Sequence, residues 1–282
     1  MKKKINIIAK TNTSIIDILK ESSLSKNKAK TYISLGFILV NNKKITKLPF
    51  NVKAGDIITI DENQTTNTNF KIIYEDNNYL VVDKDAGLLT ISTSNQTKQN
   101  ELTLYRLVRE YLNNKHEYAF IVNRIDKETS GLVIFVKQEF LKEKLQSNWN
   151  NIVKKRGYIA IVSGIISKPG RIENYLYEDK LTFTHSTKTG GKLAITNYTP
   201  IKINNKYTML DVNIETGRKN QIRVHMTEMH HPIVGDKKYY SKDNPLKRLA
   251  LHHYEISLLD PLTKKLLTFK SPIPKDFYVL FN

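Results

Sequence analysis

Apolar residues in this chain fall in short runs separated by polar connectors rich in Asn and Lys, and the runs switch between helical and extended spacing. Near the start, SIIDILKE and KNKAKTYISL carry apolar residues at helical spacing. Ser14 and Ser25 are placed to cap them, Asp17 stands in a first turn where a carboxylate favours the dipole, and Gly36 is placed to end the second helix in the left-handed conformation. Extended runs follow: FILV, the turn Asn41-Asn42, a return over 43–47, and DIITI after the turn Lys53-Ala54-Gly55. Residues 61–69, DENQTTNTN, have no apolar side chain and read as a flexible linker. The pattern predicts a small domain over 1–62, a linker at 63–70 and a larger domain over 71–282.

In the larger part, KIIYEDNNYLVVDKDAGLL reads as two strands joined at Asp76-Asn77-Asn78, with a break at Asp85-Ala86-Gly87. Residues 92–100 read as a mobile loop. ELTLYRLVREYLNN is an amphipathic helix with Leu104, Leu107, Val108 and Tyr111 on one side. The stretch 119–137, AFIVNRIDKETSGLVIFVK, has two β-branched apolar runs around a polar turn that ends in Gly131. A helix follows in which Phe140, Leu141, Leu145 and Trp149 share the helical period. KKRGYIAIVSG is apolar on both alternating faces, as a strand buried on both sides requires. QIRVHMTEM reads as a helix opened by the loop Thr216-Gly217-Arg218. The expected fold class is α+β, a small helical and hairpin domain followed by a body on a mixed, largely antiparallel sheet with a cleft across it.

Charge narrows the partner class. The 282 residues carry a formal net charge of +18, with a sequence pI of about 9.7. Self-repulsion of that size favours a polyanionic partner, nucleic acid first and an anionic membrane second. Part of the excess is compositional drift of a Lys-, Asn- and Ile-rich chain. It is also uneven, since twelve Lys stand against three acidic residues in the first sixty positions. Lys26, Lys28 and Lys30 on the second helix, with Lys43 and Lys44 in the hairpin, form a candidate phosphate-contacting surface. No apolar run approaches the roughly 18 residues of a membrane span, and MKKKINIIAK lacks the long apolar core of a signal peptide. The absence of Cys excludes disulfides, thiolate catalysis and Cys-ligated zinc, and is compatible with a reducing cytoplasm.

The candidate chemistry starts at Asp126, alone at the mouth of the turn in 119–137 and flanked by Arg124 and Lys127. Those cations would keep it ionised and attract an anion, which suits a nucleophile or base aimed at a polyanion. The other reading is a loop cap, with the carboxylate bonded to the backbone of Glu128 or Thr129. Tyr158 is either core or a face on which a base stacks. Arg218 and Arg223 cannot lose their charge, and each offers a planar fork suited to a carboxylate or phosphate; Arg218 is a candidate RNA phosphate contact, with a loop anchor as the other reading. Arg223, inside an apolar helical face, demands a buried acidic partner, for which Asp126 is the candidate. His225, His230, His231, His252 and His253 lack an HExxH arrangement or a supporting carboxylate cluster, so no metal site is expected.

Taken in order, NRIDKETSG, KRGYIAIVSG, TGRKNQIRVHM, HPIVGDKKY and RLALHHYEISLLDP resemble an RNA pseudouridine synthase of the RluA type, from about residue 71 to 274. The segment 13–60, through FILVNNKKI and VKAGDIITI, resembles the alpha-L RNA-binding domain. Three departures stand out. The family's His-Arg-Leu-Asp is Asn123-Arg124-Ile125-Asp126, its Asn-Lys-Pro-Ala-Gly is Asp83-Lys84-Asp85-Ala86-Gly87, and the His before Gln-Ile-Arg is Asn220. The resemblance implies isomerisation of uridine to pseudouridine without a cofactor. Asp126 would be the catalytic carboxylate, acting on C1′, on the uracil ring or on a sugar proton. Tyr158 would stack on the flipped uracil and help relay the C5 proton, Arg223 would pair with Asp126, and Arg124 would enter the RNA near the vacated position. It further implies large-subunit ribosomal RNA rather than transfer RNA, a monomer without an obligatory protein partner, and a cytoplasmic setting. A non-catalytic RNA-binding assembly factor is the rival from another class; an enzyme of free nucleotides is disfavoured by the lack of a Gly-rich phosphate loop.

Overall fold

The computed structural model describes residues 4–34, 36–45, 48–61, 70–92, 102–179, 182–239 and 241–282. Most of the predicted linker 63–70, the loop at 93–100, Leu35 and Lys47 lie outside them. The chain divides into two compact units, Met1–Lys71 with Leu88–Ala119, and Ile72–Gly87 with Phe120–Asn282. The segment Leu88–Ala119, assigned by sequence to the larger domain, thus belongs with the first unit.

The first unit runs β1 (Lys4–Ile8), β2 (Thr13–Ser14), α1 (Ile15–Glu21), α2 (Lys26–Ser34), β3 (Ile38–Val40), β4 (Lys43–Lys44), β5 (Asn51–Val52), β6 (Ile57–Asp61) and α3 (Leu104–Asn113). The local signals act as their chemistry dictates. The Ser14 side chain accepts from the Ile16 N–H, and that of Ser25 from the Lys28 N–H. Gly36 takes φ 73°, and Asn41 and Asn42 take φ 49° and 65° in the hairpin turn. Strand β1 has no counterpart in the sequence reading. It pairs antiparallel with β6 at the edge of a sheet ordered β1-β6-β3-β4, leaving Ile5 and Ile8 exposed, so its apolar residues mark no buried face. α3, capped by Thr103, buries Leu104, Leu107, Val108 and Leu112.

The second unit contains β7 (Lys71–Glu75), β8 (Tyr79–Lys84), β9 (Phe120–Ile121), β10 (Ser130–Val136), α4 (Glu139–Ser147), α5 (Trp149–Ile152) and β11 (Val153–Ser163). It continues with β12 (Gly170–Glu178), β13 (Thr184–Thr187), β14 (Lys192–Ile203), β15 (Tyr207–Ile214), α6 (Gln221–Glu228), β16 (Leu251–Leu259), β17 (Leu266–Lys270) and α7 (Lys275–Val279). One large mixed sheet runs β13-β12-β14-β15-β11-β16-β10-β8-β7, with β17 on β16 and β9 on β10. Its single parallel pairing among the described strands joins β10 to β16. Sequence periodicity assigned nothing between 165 and 203, where three polar strands build one end of the sheet. α4 buries Leu141 and Leu145 as expected, but Phe140 is 46% exposed and not part of the core. No helix is long and apolar enough to cross a membrane among the described residues.

Three central strands position the rest. β10 is buried along its whole length, and its start registers Gly131 against His253 of β16, which in turn registers against Tyr158 of β11. A β-bulge between Gly157 and Tyr158 re-aims the tyrosine at that point. Gly131 has φ 117°, and a Cβ there would lie 2.3 Å from the His253 carbonyl oxygen. Gly131→Ala is therefore expected to lower stability by about 3 kcal/mol or more, read as a fall in the urea midpoint, since overpacking and a forbidden φ act together.

Candidate active site

Asp126 hangs in the loop between β9 and β10, with its side chain 30% exposed. The loop is tied down around it. The Asn123 side chain accepts from the Ile134 N–H at 2.7 Å, so the Asn that replaces the family's His stitches the loop to β10. Fully buried Lys84, at the end of β8, donates to the carbonyls of Asp85 (2.8 Å) and Lys127 (3.1 Å), and the Gly87 N–H also reaches Lys127 O. Burial pushes the Lys84 ammonium down to about 7, with Glu128 and Asp126 pulling the other way. The Thr129 N–H bonds to the backbone oxygen of Asp126, and the carboxylate takes no backbone hydrogen bond among the described residues. The cap reading therefore has no geometric basis.

Charge around Asp126 differs from the sequence expectation. Burial raises its carboxyl above the ordinary value, outweighing Arg223, Arg124 and Lys238, which pull it down. Flanking cations were expected to dominate. Desolvation by the surrounding sheet and α6 is the larger effect, and a linear sequence does not show it.

Tyr158 is 9% exposed and stacks on His253, with ring centroids 4.4 Å apart and planes 16° apart. Burial, reinforced by the nearby Asp126 charge, pushes its phenol up and keeps it neutral. His253 is buried, bonds through Nδ1 to the Leu132 carbonyl at 2.9 Å, and is pushed down to about 4 by burial.

Arg223 sits on α6, a helix buried nearly all round. Its Nη1 is 3.7 Å from the Asp126 carboxylate, so the expected pair exists. The short bonds go elsewhere. Asp236 accepts from Nε and Nη2, each at 2.7 Å, and its side chain has no exposed surface. Asn220, left-handed at φ 54°, accepts from Nη1 at 3.0 Å and donates to the Tyr239 hydroxyl, while the guanidinium lies over the Tyr239 ring. Asn220 is buried, so this position carries an internal bond rather than a nucleic-acid contact. Burial works against the Arg223 charge, but the two carboxylates outweigh it and hold the guanidinium protonated. Asp236, Lys84 and His253 had no role in the sequence reading. The demand of a buried Arg for an acid was legible, but the acid that meets it most closely was not.

The remaining expected residues are scattered. Arg124 is exposed beside Asp126. Arg218, also exposed, donates from Nε to the Leu193 carbonyl at 2.8 Å, a loop anchor by its contacts. Lys26, Lys28, Lys43 and Lys44 are exposed and Lys30 half-buried, all in the first unit. His225 is buried between Thr196 and Asn174, and His252 is buried against Ser130. Among the described residues no group of three His, Asp or Glu could hold a metal.

Comparison with known proteins shows the family. Residues 78–228 match the RNA pseudouridylate synthase family. The chain is 31% identical to ribosomal large subunit pseudouridine synthase D of Haemophilus influenzae, across 92% of this chain and 86% of that protein. It is 32% identical to an uncharacterised RNA pseudouridine synthase of Helicobacter pylori, across 92% and 96%. Human RNA pseudouridylate synthase domain containing 1 superposes with a TM-score of 0.60 at 18% identity, covering 72% of this chain and 83% of that one, which supports the fold. Matched by the family model over more than half its length and 31% identical to a relative across 92% of the chain, this protein belongs to the RNA pseudouridine synthase family, of the RluA type.

Proposed function

We propose that this pseudouridine synthase acts on large-subunit ribosomal RNA, with Asp126 as the catalytic carboxylate, Tyr158 as the platform for the flipped uracil and Arg223 as the group that orients Asp126. The observation that carries the site assignment is the 3.7 Å approach of Arg223 to a carboxylate that has no backbone bond and is partly open. Asp236 takes the short bonds of Arg223, so Asp126 is oriented without being locked into a tight pair and its oxygens remain available.

In the reaction the N1–C1′ bond breaks, the uracil turns, a C5–C1′ bond forms, the C5 proton leaves and N1 gains a proton, so no atom is gained or lost. A covalent carboxylate intermediate or a sugar-proton abstraction by Asp126 both fit this balance. Tyr158 has one face against His253, and the other is proposed to receive the uracil. A neutral phenol passes a proton only by giving up its own as it accepts another, which is how Tyr158 would relay the C5 proton. Extrusion of the uridine from a stack costs a few kcal/mol, less in a loop. Arg124, exposed next to Asp126, is proposed to fill the vacated space.

The target class follows the relative in Haemophilus influenzae, which is named for the large ribosomal subunit. The basic first unit, read as an alpha-L domain, suits the same substrate. In this reading the enzyme works as a monomer in the cytoplasm, and no cofactor takes part. Mapping pseudouridines in total RNA from cells with and without the protein tests it. The expected result is loss of modification at discrete uridines of large-subunit ribosomal RNA. Losses confined to transfer RNA would move the target there, and an unchanged map would favour the non-catalytic RNA-binding reading.

A further inference from the structure

Within the first unit, α2 and α3 wall a cleft of about 310 Å³ lined by Ser25, Lys28, Thr31, Arg106, Arg109 and Glu110. Three cations face it against one acid. α3 turns Leu104, Leu107, Val108 and Leu112 inward, which leaves Arg106 and Arg109, one turn apart, on its other side. Arg106 is half-buried, and burial first, then the neighbouring Arg109 charge, disfavours its charged form, with Glu110 opposing. Even so, among the described residues no carboxylate lies within 4.0 Å of either guanidinium and no acceptor bonds to either.

Elsewhere Arg223 is clamped by Asp236, Arg171 is paired with Glu215 and Lys137 with Glu75. A guanidinium cannot shed its proton, so two of them side by side, one partly desolvated, are unfavourable until an anion joins them. The first turn of α2 adds to the field, since it carries Lys26 and Lys28 and no acidic residue.

We propose that this cleft binds a backbone phosphate of the RNA substrate, with Arg106 and Arg109 as paired forks and Lys28 as a point charge. The proposal deepens the reading above and rests on RNA being the substrate. It assigns RNA contact to α3, far along the chain from the helix-and-hairpin segment that carries the candidate phosphate-contacting lysines.

The test uses the full-length chain and an unstructured oligouridylate, with affinity measured across a salt series. For Arg106→Gln combined with Arg109→Gln, the dependence of log affinity on log salt is expected to flatten by about 0.7, the contribution of one neutralised phosphate on a single strand. Glu110→Gln, which removes the acid from the wall, is expected to tighten binding. Because the two Arg charges are unpaired, the double variant should melt at or above the wild-type temperature, which separates a binding defect from a folding defect. An unchanged salt slope in the double variant overturns the proposal. So does saturable binding of inorganic phosphate that the double variant loses while its RNA slope stays unchanged, which would make the cleft a small-anion site. The readout is binding, so a wild-type protein that binds RNA without isomerising it counts against the catalytic reading alone.

Discussion

Asp126→Asn is expected to lower pseudouridine formation by at least about 10⁴-fold while RNA affinity stays within a small factor of wild type. Asn keeps the shape of the side chain and removes only its capacity to attack or to take a proton. The substitution leaves in place the exposed cations proposed to hold RNA. The pH profile sharpens the prediction. Burial holds the Asp126 carboxyl above its ordinary value, so the acidic limb of the wild-type rate profile should lie above the titration of an exposed aspartate. Stability should move the opposite way from activity. A carboxyl raised in the folded state contributes stability that is present below its unfolded pKa and is lost as pH rises through the folded value. At neutral pH the ionised Asp126 therefore weakens the fold, and Asp126→Asn should melt at or above the wild-type temperature. Appreciable turnover by the variant, measured by release of tritium from C5-labelled uridine in RNA, would remove the carboxylate from the mechanism.

Asp236→Asn is expected to cost about 3–5 kcal/mol of folding stability, because it takes one partner from a fully buried ion pair. The Arg223 guanidinium would then be left with Asp126 as its acidic neighbour. Closer pairing of those two would draw the Asp126 carboxyl down and tie up its oxygens. Activity should fall, and the acidic limb of whatever remains should shift to lower pH, a change that mere loosening of the fold does not produce. Adding Arg223→Met to Asp236→Asn should recover part of the stability, since neither partner is then stranded. A urea midpoint and a pH profile both unchanged in Asp236→Asn would show that Asp126 alone holds the arginine.

Much of the local structure follows from short-range chemistry and is legible in the chain. Ser14, Ser25 and Thr103 cap helices because their hydroxyls meet free N–H groups, Gly36 ends a helix because it tolerates a positive φ, and Asn41-Asn42 turns a hairpin for the same reason. The buried strands β10 and β11 announce themselves as continuous apolar runs. Peripheral strands do not. β1 is exposed at all but one position on a sheet edge, and β12 alternates half-buried with exposed residues along much of its length, next to the edge strand β13. The same holds for α3, whose apolar stripe was clear but whose place in the first unit was not.

The sequence by itself marked which side chains were candidates for special roles: an isolated acid at 126, a tyrosine in a doubly buried strand, and an arginine inside an apolar helix. Each is odd for its local environment, and that oddness survives without coordinates. Only the tertiary structure decided who meets whom. The register Gly131–His253–Tyr158 across three strands sets the tyrosine against a histidine nearly a hundred residues away, and the turn after α6 gives Arg223 its nearest acid in Asp236. It also decided the sign of the shift at Asp126, because desolvation depends on the mass of protein packed around a group, whereas charge can be counted along the chain.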